Sequence, residues 1–230
     1  KFEDLISDYS YKNLIKREMA QHVFWYYIIT NKIDKAKDLT IEYEKSVENS
    51  EDHWEISHLC FSCRVLGEHD KVIKYARKCH TLQQKLDCGG WNYLETQAFE
   101  YIERGDFEKA EELIKEIYEI INKRSEWTEG VKDHWKMDMK AVEVYLNIHR
   151  GNLDDAYVGI HEIKNLDKIK IWDWARYYAL SNLYFALENI DDGYKYLNKY
   201  IEHRHPSKLE TVVIHPVFKN ARKDPRYIDI

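Results

Sequence analysis

Apolar residues return every three or four positions along most of this chain, a spacing that places them on one face of an α-helix. In the first such stretch Leu14, Ile15, Met19, Val23, Tyr26 and Tyr27 form the stripe. Polar interruptions then recur in one form. A residue that tolerates a left-handed backbone is followed by charged residues, an apolar residue and a small one. Arg104-Gly105-Asp106-Phe107-Glu108-Lys109-Ala110 is the best-preserved copy, and worn versions end at Ala36, Val72, Ala156 and Gly193. Those five end residues are 36, 38, 46 and 37 residues apart, and the long interval is explained by a polar connection, Ser125 to Asp133, around Gly130. Self-similarity at this period marks stacked helix–turn–helix units. The predicted hairpins run over about 15–47, 54–86, 91–123, 135–165 and 172–203, with Cys88-Gly89-Gly90 a stop between the second and third.

Columns read from the small residue sharpen the pattern. The anchor itself lets two helices approach closely. Twelve residues earlier the facing position is Phe24, Cys60, Ala98, Val144 or Ser181, small in three of the five. Nine residues earlier stand Tyr27, Cys63, Tyr101, Asn147 and Tyr184. Three residues earlier Ile33, Phe107, Leu153 and Ile190 are expected to plug the turn, with His69 the exception. The turn residue is Gly67, Gly105 or Gly151, and Asn31 or Glu188 elsewhere. Asn accepts the left-handed conformation, whereas Glu188 accepts it poorly, so the fifth turn is the one expected to depart.

These columns resemble the tetratricopeptide repeat family over roughly residues 15–203. The resemblance implies an all-α fold, a right-handed α-solenoid of about five hairpins within a single domain spanning 1–230. The family's proline between repeats is missing, which implies longer second helices. The tail His215-Pro216-Val217-Phe218-Lys219-Asn220-Ala221-Arg222-Lys223-Asp224-Pro225-Arg226-Tyr227 resembles the segment closing such arrays in bacterial multidomain signalling proteins. It is expected to form a cap over 206–230, with Pro216 starting a short helix and Phe218 and Tyr227 covering the apolar end of the array. By the same resemblance the chain is the C-terminal part of a longer protein, and it begins at Lys1 rather than Met.

In this family the first helices line a concave groove. The column eleven residues before the anchors is then central and inward: Trp25, Phe61, Phe99, Tyr145 and Asn182. Three residues further on come Ile28, Arg64, Ile102, Ile148 and Phe185. Four aromatics in five repeats suit an extended or helical peptide with apolar anchors, and Arg64 suits a carboxylate or carbonyl on it. Longer helices would shift the phase and place the same aromatics in the core. A groove closed on itself or on a second copy of the chain is the third arrangement.

Composition narrows the function classes. The net charge of −6 and a pI near 6.0 disfavour a phosphate-binding surface, so no nucleic-acid partner is expected. All three prolines fall in the last 25 residues, and eight glycines are few for a turn-rich β fold. The longest strongly apolar run, Phe24 to Ile29, is too short to span a bilayer, so no membrane partner is expected. Four cysteines make no disulfide framework in a chain of 230 residues and point to a reducing, cytoplasmic setting. Cys60-Phe61-Ser62-Cys63 lacks a second pair and coincides with packing columns, so two core thiols are expected rather than a metal or redox site. Eleven scattered histidines show no ligand spacing, and no glycine-rich phosphate loop follows a strand. No cofactor, metal or catalytic residue is therefore expected. The leading expectation is a non-catalytic protein- or peptide-binding module, the scaffold or sensor part of a signalling protein. A peptide-pheromone receptor type of regulator and an accessory region of an enzyme stand as the alternatives.

Overall fold

A computed structural model describes residues 17–85, 91–166, 173–203, 218, 221 and 224–226. Those residues form ten α-helices and no strand: α1 (Arg17–Ile29), α2 (Ile33–Val47), α3 (His53–Val65), α4 (His69–Lys85), α5 (Trp91–Glu103), α6 (Phe107–Lys123), α7 (Glu129–Arg150), α8 (Leu153–Lys164), α9 (Asp173–Ala186) and α10 (Ile190–Glu202). Sequence alone treats the chain as one domain. Internal packing divides it into two compact units, Lys1–Thr96 and Gln97–Ile230, with the boundary inside α5. The starts of the predicted first helix, the Gly89-Gly90 stop and most of the predicted cap lie outside the described residues.

Five turns join the helices in one geometry. Asn31, Gly67, Gly105, Gly151 and Glu188 all have positive φ, at 56°, 72°, 75°, 79° and 58°. In each, the next N–H closes onto a carbonyl five residues back: Lys32 to Tyr27, Glu68 to Cys63, Asp106 to Tyr101, Asn152 to Asn147 and Asn189 to Tyr184. This satisfies carbonyls that a helix end would otherwise leave unpaired. The first bond of the following helix also recurs, with Ala36, Val72, Ala110, Ala156 and Gly193 donating to the residue four before. Glu188 therefore makes the same turn as the glycines, although its side chain penalises that backbone. The alternative would leave the carbonyl of Tyr184 unpaired, a larger cost.

The column positions are core. Ala36, Val72, Ala110 and Ala156 are wholly buried, as are Ala98 and Ser181, and Phe24, Cys60 and Val144 are nearly so. Facing members touch directly. The Cys60 thiol donates to the Val72 carbonyl at 3.6 Å, and the Ser181 hydroxyl to the Gly193 carbonyl at 3.0 Å. Oversized members are compensated locally. A Cβ on Gly159 would overlap Val144 Cγ2, so a glycine one turn past Ala156 makes room for the large Val144. A Cβ on Gly193 would lie 2.7 Å from the Phe185 ring. The apolar plugs are a different matter. Ile33 and Leu153 are 37% and 47% exposed, because these turns sit at the solvent edge and their side chains are covered only in part.

In the first unit, Tyr43, Ile56, Leu59, Cys63, Val72, Tyr75, Cys79 and Tyr93 belong to one cluster, and Val23, Phe24, Tyr27, Ala36 and Leu39 to another. Each fully buried Ile or Leu contributes roughly 1.5–3 kcal/mol. Glu44 of α2 ties to α4, accepting from Lys71 at 2.7 Å and from the Tyr75 hydroxyl. In the second unit, α7 starts earlier than its apolar stripe predicts. Thr128 caps it, accepting from the Val131 N–H at 3.4 Å, and so Glu129 to Asp133 are helical rather than a connection. His134 is buried there, with its ring 4.6 Å from Trp135 and 6.3 Å from Trp174. Part of the expected cap is visible: Phe218 is fully buried, its ring 5.4 Å from Phe185 and 6.3 Å from Tyr178, and Tyr194 donates to the Ala221 carbonyl at 2.9 Å. Tyr227 lies outside the described residues. No described helix is long and apolar enough to cross a membrane.

Candidate functional site

The predicted inward column divides between the units. In the first, Trp25 of α1 and Phe61 of α3 are in ring contact at 5.4 Å. Trp25 is 9% exposed, Phe61 is half-buried, and Arg64 is half-buried one turn on. The indole Nε1 of Trp25 is buried without a hydrogen-bond partner among the described residues. In the second unit, Phe99 of α5 meets Tyr145 of α7 at 5.3 Å, edge to face. Tyr145 is 3% exposed, whereas Phe99 and Asn182 are half-buried. The side-chain oxygen of Asn182 is also buried without a partner among the described residues. The column thus holds covered rings, half-open rings and two unmatched polar atoms. The companion column splits likewise, with Ile102 and Phe185 core and Ile28 and Ile148 half-buried.

Two residues that sequence reasoning passed over complete the surroundings of Tyr145. Its hydroxyl donates to Glu103, and His149, one turn along α7, has its ring 4.4 Å from the tyrosine and its Nε2 3.8 Å from the same carboxylate. The Tyr145/His149 spacing of four was legible. Glu103 was not, since only packing of α5 beside α7 brings it there. The trio orients a phenol and does not resemble a nucleophile with its base.

An open groove of about 580 Å³ lies between α6 and α7, floored by Ile114 and Leu146 and edged by Glu111, Glu119 and Glu143. Each glutamate already has a cation, namely Arg150, Lys123 at 3.7 Å and Lys140 at 3.7 Å. A partner would therefore meet little unmatched charge there.

The thiols are packed, not poised. Cys60, Cys63 and Cys79 form no disulfide among the described residues and are buried. Burial pushes the Cys63 and Cys79 thiols up to about 12, against the low values that reactive cysteines need. Cys88 lies outside the described residues. Among the described residues no group of three or more His, Cys, Asp or Glu is arranged to hold a metal ion. Comparison with protein-family models, with curated proteins and with solved structures finds no match to this chain.

Proposed function

We propose that the chain is a non-catalytic interaction module, a right-handed α-solenoid of five tetratricopeptide-like hairpins that binds peptide or protein segments along its first helices. The five equivalent turns and buried anchors support the repeat architecture. One observation carries the binding reading. Trp25 and Asn182 occupy equivalent positions, eleven residues before their anchors, and each holds a buried polar atom with no partner among the described residues. An unmatched buried donor or acceptor costs about 1–3 kcal/mol, a penalty that a ligand removes where its binding shifts the side chains covering the atom. A peptide backbone brings both kinds of group. A peptide carbonyl matches the indole N–H of Trp25 on the first unit, and a peptide amide matches the Asn182 oxygen on the second, each unit offering its own contact. Phe61 and Phe99, half-open beside covered rings, offer apolar contact on either unit, and Arg64 offers a cation. A scaffold or sensor part of a signalling protein is the setting that fits a module with these properties, and buried reduced thiols fit the cytoplasm.

Selection from a random peptide library displayed on phage tests the reading. Enriched peptides are expected to bind the wild type and to lose at least about tenfold in affinity to Asn182→Ala or Phe99→Ala, a loss of about 1.4 kcal/mol. Thermal melting should change little in Asn182→Ala, because the lost side-chain oxygen makes no hydrogen bond among the described residues. Enriched peptides that bind both variants as tightly as the wild type would sink the proposal, as would a library that yields no binder.

A further inference from the structure

Three lysines converge on one tyrosine in the second unit, from two different helices. The ammonium of Lys164, at the end of α8, lies 5.8 Å from the centroid of Tyr196, and those of Lys195 and Lys199, on α10, both lie 5.6 Å from it. The three charges are thus within about 12 Å of one another. The arrangement continues on both sides. Tyr184 stacks on Tyr196 with centroids 5.6 Å apart and planes 2° from parallel, and Lys164 sits 4.9 Å above it. Tyr177 lies 6.3 Å from Tyr196, under Lys199 at 5.4 Å and beside His203 at 5.3 Å.

One carboxylate, Asp192, acts on both Lys195 and Lys164, and the Lys164 ammonium is also hydrogen-bonded to Tyr184, so these cations are offset only in part. Lys195 pairs with Asp192 at 3.5 Å, while Lys164 and Lys199 make no ion pair among the described residues. The hydroxyls of Tyr177 and Tyr196 likewise make no hydrogen bond among those residues. Cations near helix C-termini offset the macrodipole, which accounts for Lys164 and Lys199 along their own helices. It does not account for their meeting over one ring with Lys195. With three ammonium groups and one carboxylate, the surface keeps an excess of positive charge that an anion would offset.

We propose that this lysine–tyrosine surface on α8, α9 and α10 is a second docking site, for an acidic peptide segment of a partner protein. Tyr184 and Tyr196 are 4% and 9% exposed, and lysines cover what remains, so no ring face is open for a nucleobase. A ligand meets ammonium groups and phenol hydroxyls, all of them donors to carboxylate. Alternate residues of an extended segment project on one face about 7 Å apart, a step that suits charges gathered within this span. The site shares no residue with the aromatic column and stands or falls without it.

Fluorescence anisotropy of the full chain with a labelled octaglutamate peptide tests the proposal, alongside an octaglutamine peptide and an eight-nucleotide oligouridylate. Octaglutamate is expected to bind in about 50 mM salt and to weaken several-fold by about 300 mM, and octaglutamine not to bind. Lys164→Gln and Lys199→Gln should each weaken it roughly threefold to fivefold, the range of exposed ion pairs, and Lys164→Arg and Lys199→Arg should retain it. Lys123→Gln, on the same unit but away from the site, should have no effect. The proposal is overturned by absence of octaglutamate binding at low salt, or by equal losses in Lys123→Gln. Tighter oligouridylate binding that depends on the same lysines overturns it too, in favour of a phosphate ligand.

Discussion

Glu188 stands at a backbone position that glycine occupies in three of the five turns, and replacing it isolates the cost of that choice. Its φ is 58°, within the left-handed region where Cβ crowds the following carbonyl, at about 1–2 kcal/mol for an L-residue. Glycine escapes the crowding but gives up more chain entropy on folding, about 0.5–1 kcal/mol. The side chain of Glu188 is exposed and forms no hydrogen bond or ion pair among the described residues, so its removal costs nothing further. Glu188→Gly should therefore stabilise the protein by about 0.5–1 kcal/mol, the difference between those two effects. Urea denaturation followed by circular dichroism would read this as a higher midpoint with an unchanged slope. Two controls bracket it. Glu188→Ala keeps a Cβ and should be neutral. Gly151→Ala, where φ is 79° and an added Cβ would meet nothing within 4 Å, should lose about 1 kcal/mol by backbone strain alone. A Glu188→Gly variant that is less stable than wild type, with Gly151→Ala neutral, would refute a left-handed turn as the element shared by these hairpins.

Gly159→Ala should destabilise by about 1–3 kcal/mol despite its better helix propensity, because the new methyl overlaps Val144; Val144→Ala in the same chain should recover at least about 1 kcal/mol of the expected sum, a coupling readable by a double-mutant cycle. Tyr145→Phe should cost only about 0.5–1.5 kcal/mol, for the lost bond to Glu103, while Tyr145→Ala should cost about 3–5 kcal/mol by leaving a cavity; equal costs by urea titration would contradict the burial of this ring. Burial raises the folded-state values of Cys63, Cys79 and Tyr93 to about 12, above their ordinary 9, 9 and 10, so their contribution to stability is complete below pH 9 and is lost as the pH climbs towards 12. Urea midpoints should fall between pH 9 and 11 and fall less in Cys63→Ala/Cys79→Ala; midpoints independent of pH would count against buried thiols, as would rapid alkylation of the native protein.

The hairpin pattern was readable because it answers local demands. A turn of fixed geometry needs residues that accept positive φ, and two helices in close contact need small residues where they touch, so both leave marks at constant spacing. Even so, composition misjudged two details. Thr128 starts α7 well before the apolar stripe, since a cap acts through one hydrogen bond that periodicity does not register. Ile33 and Leu153, apolar and correctly spaced, are only partly covered. For the candidate site the residues were legible and their environments were not. Trp25 and Tyr145 carry the same column position as Phe61 and Phe99, yet they are covered while the others are half-open.

By itself the sequence determined that the described chain is helical, where its turns fall and which small residues are buried, because each follows from the conformations open to a few neighbouring residues. Only the tertiary structure decided how Gly159 compensates Val144, how Phe218 seats on Phe185, and how Lys164 joins Lys195 and Lys199 over Tyr196. Those outcomes depend on which helices stack, and stacking brings together residues that have no fixed distance along the chain.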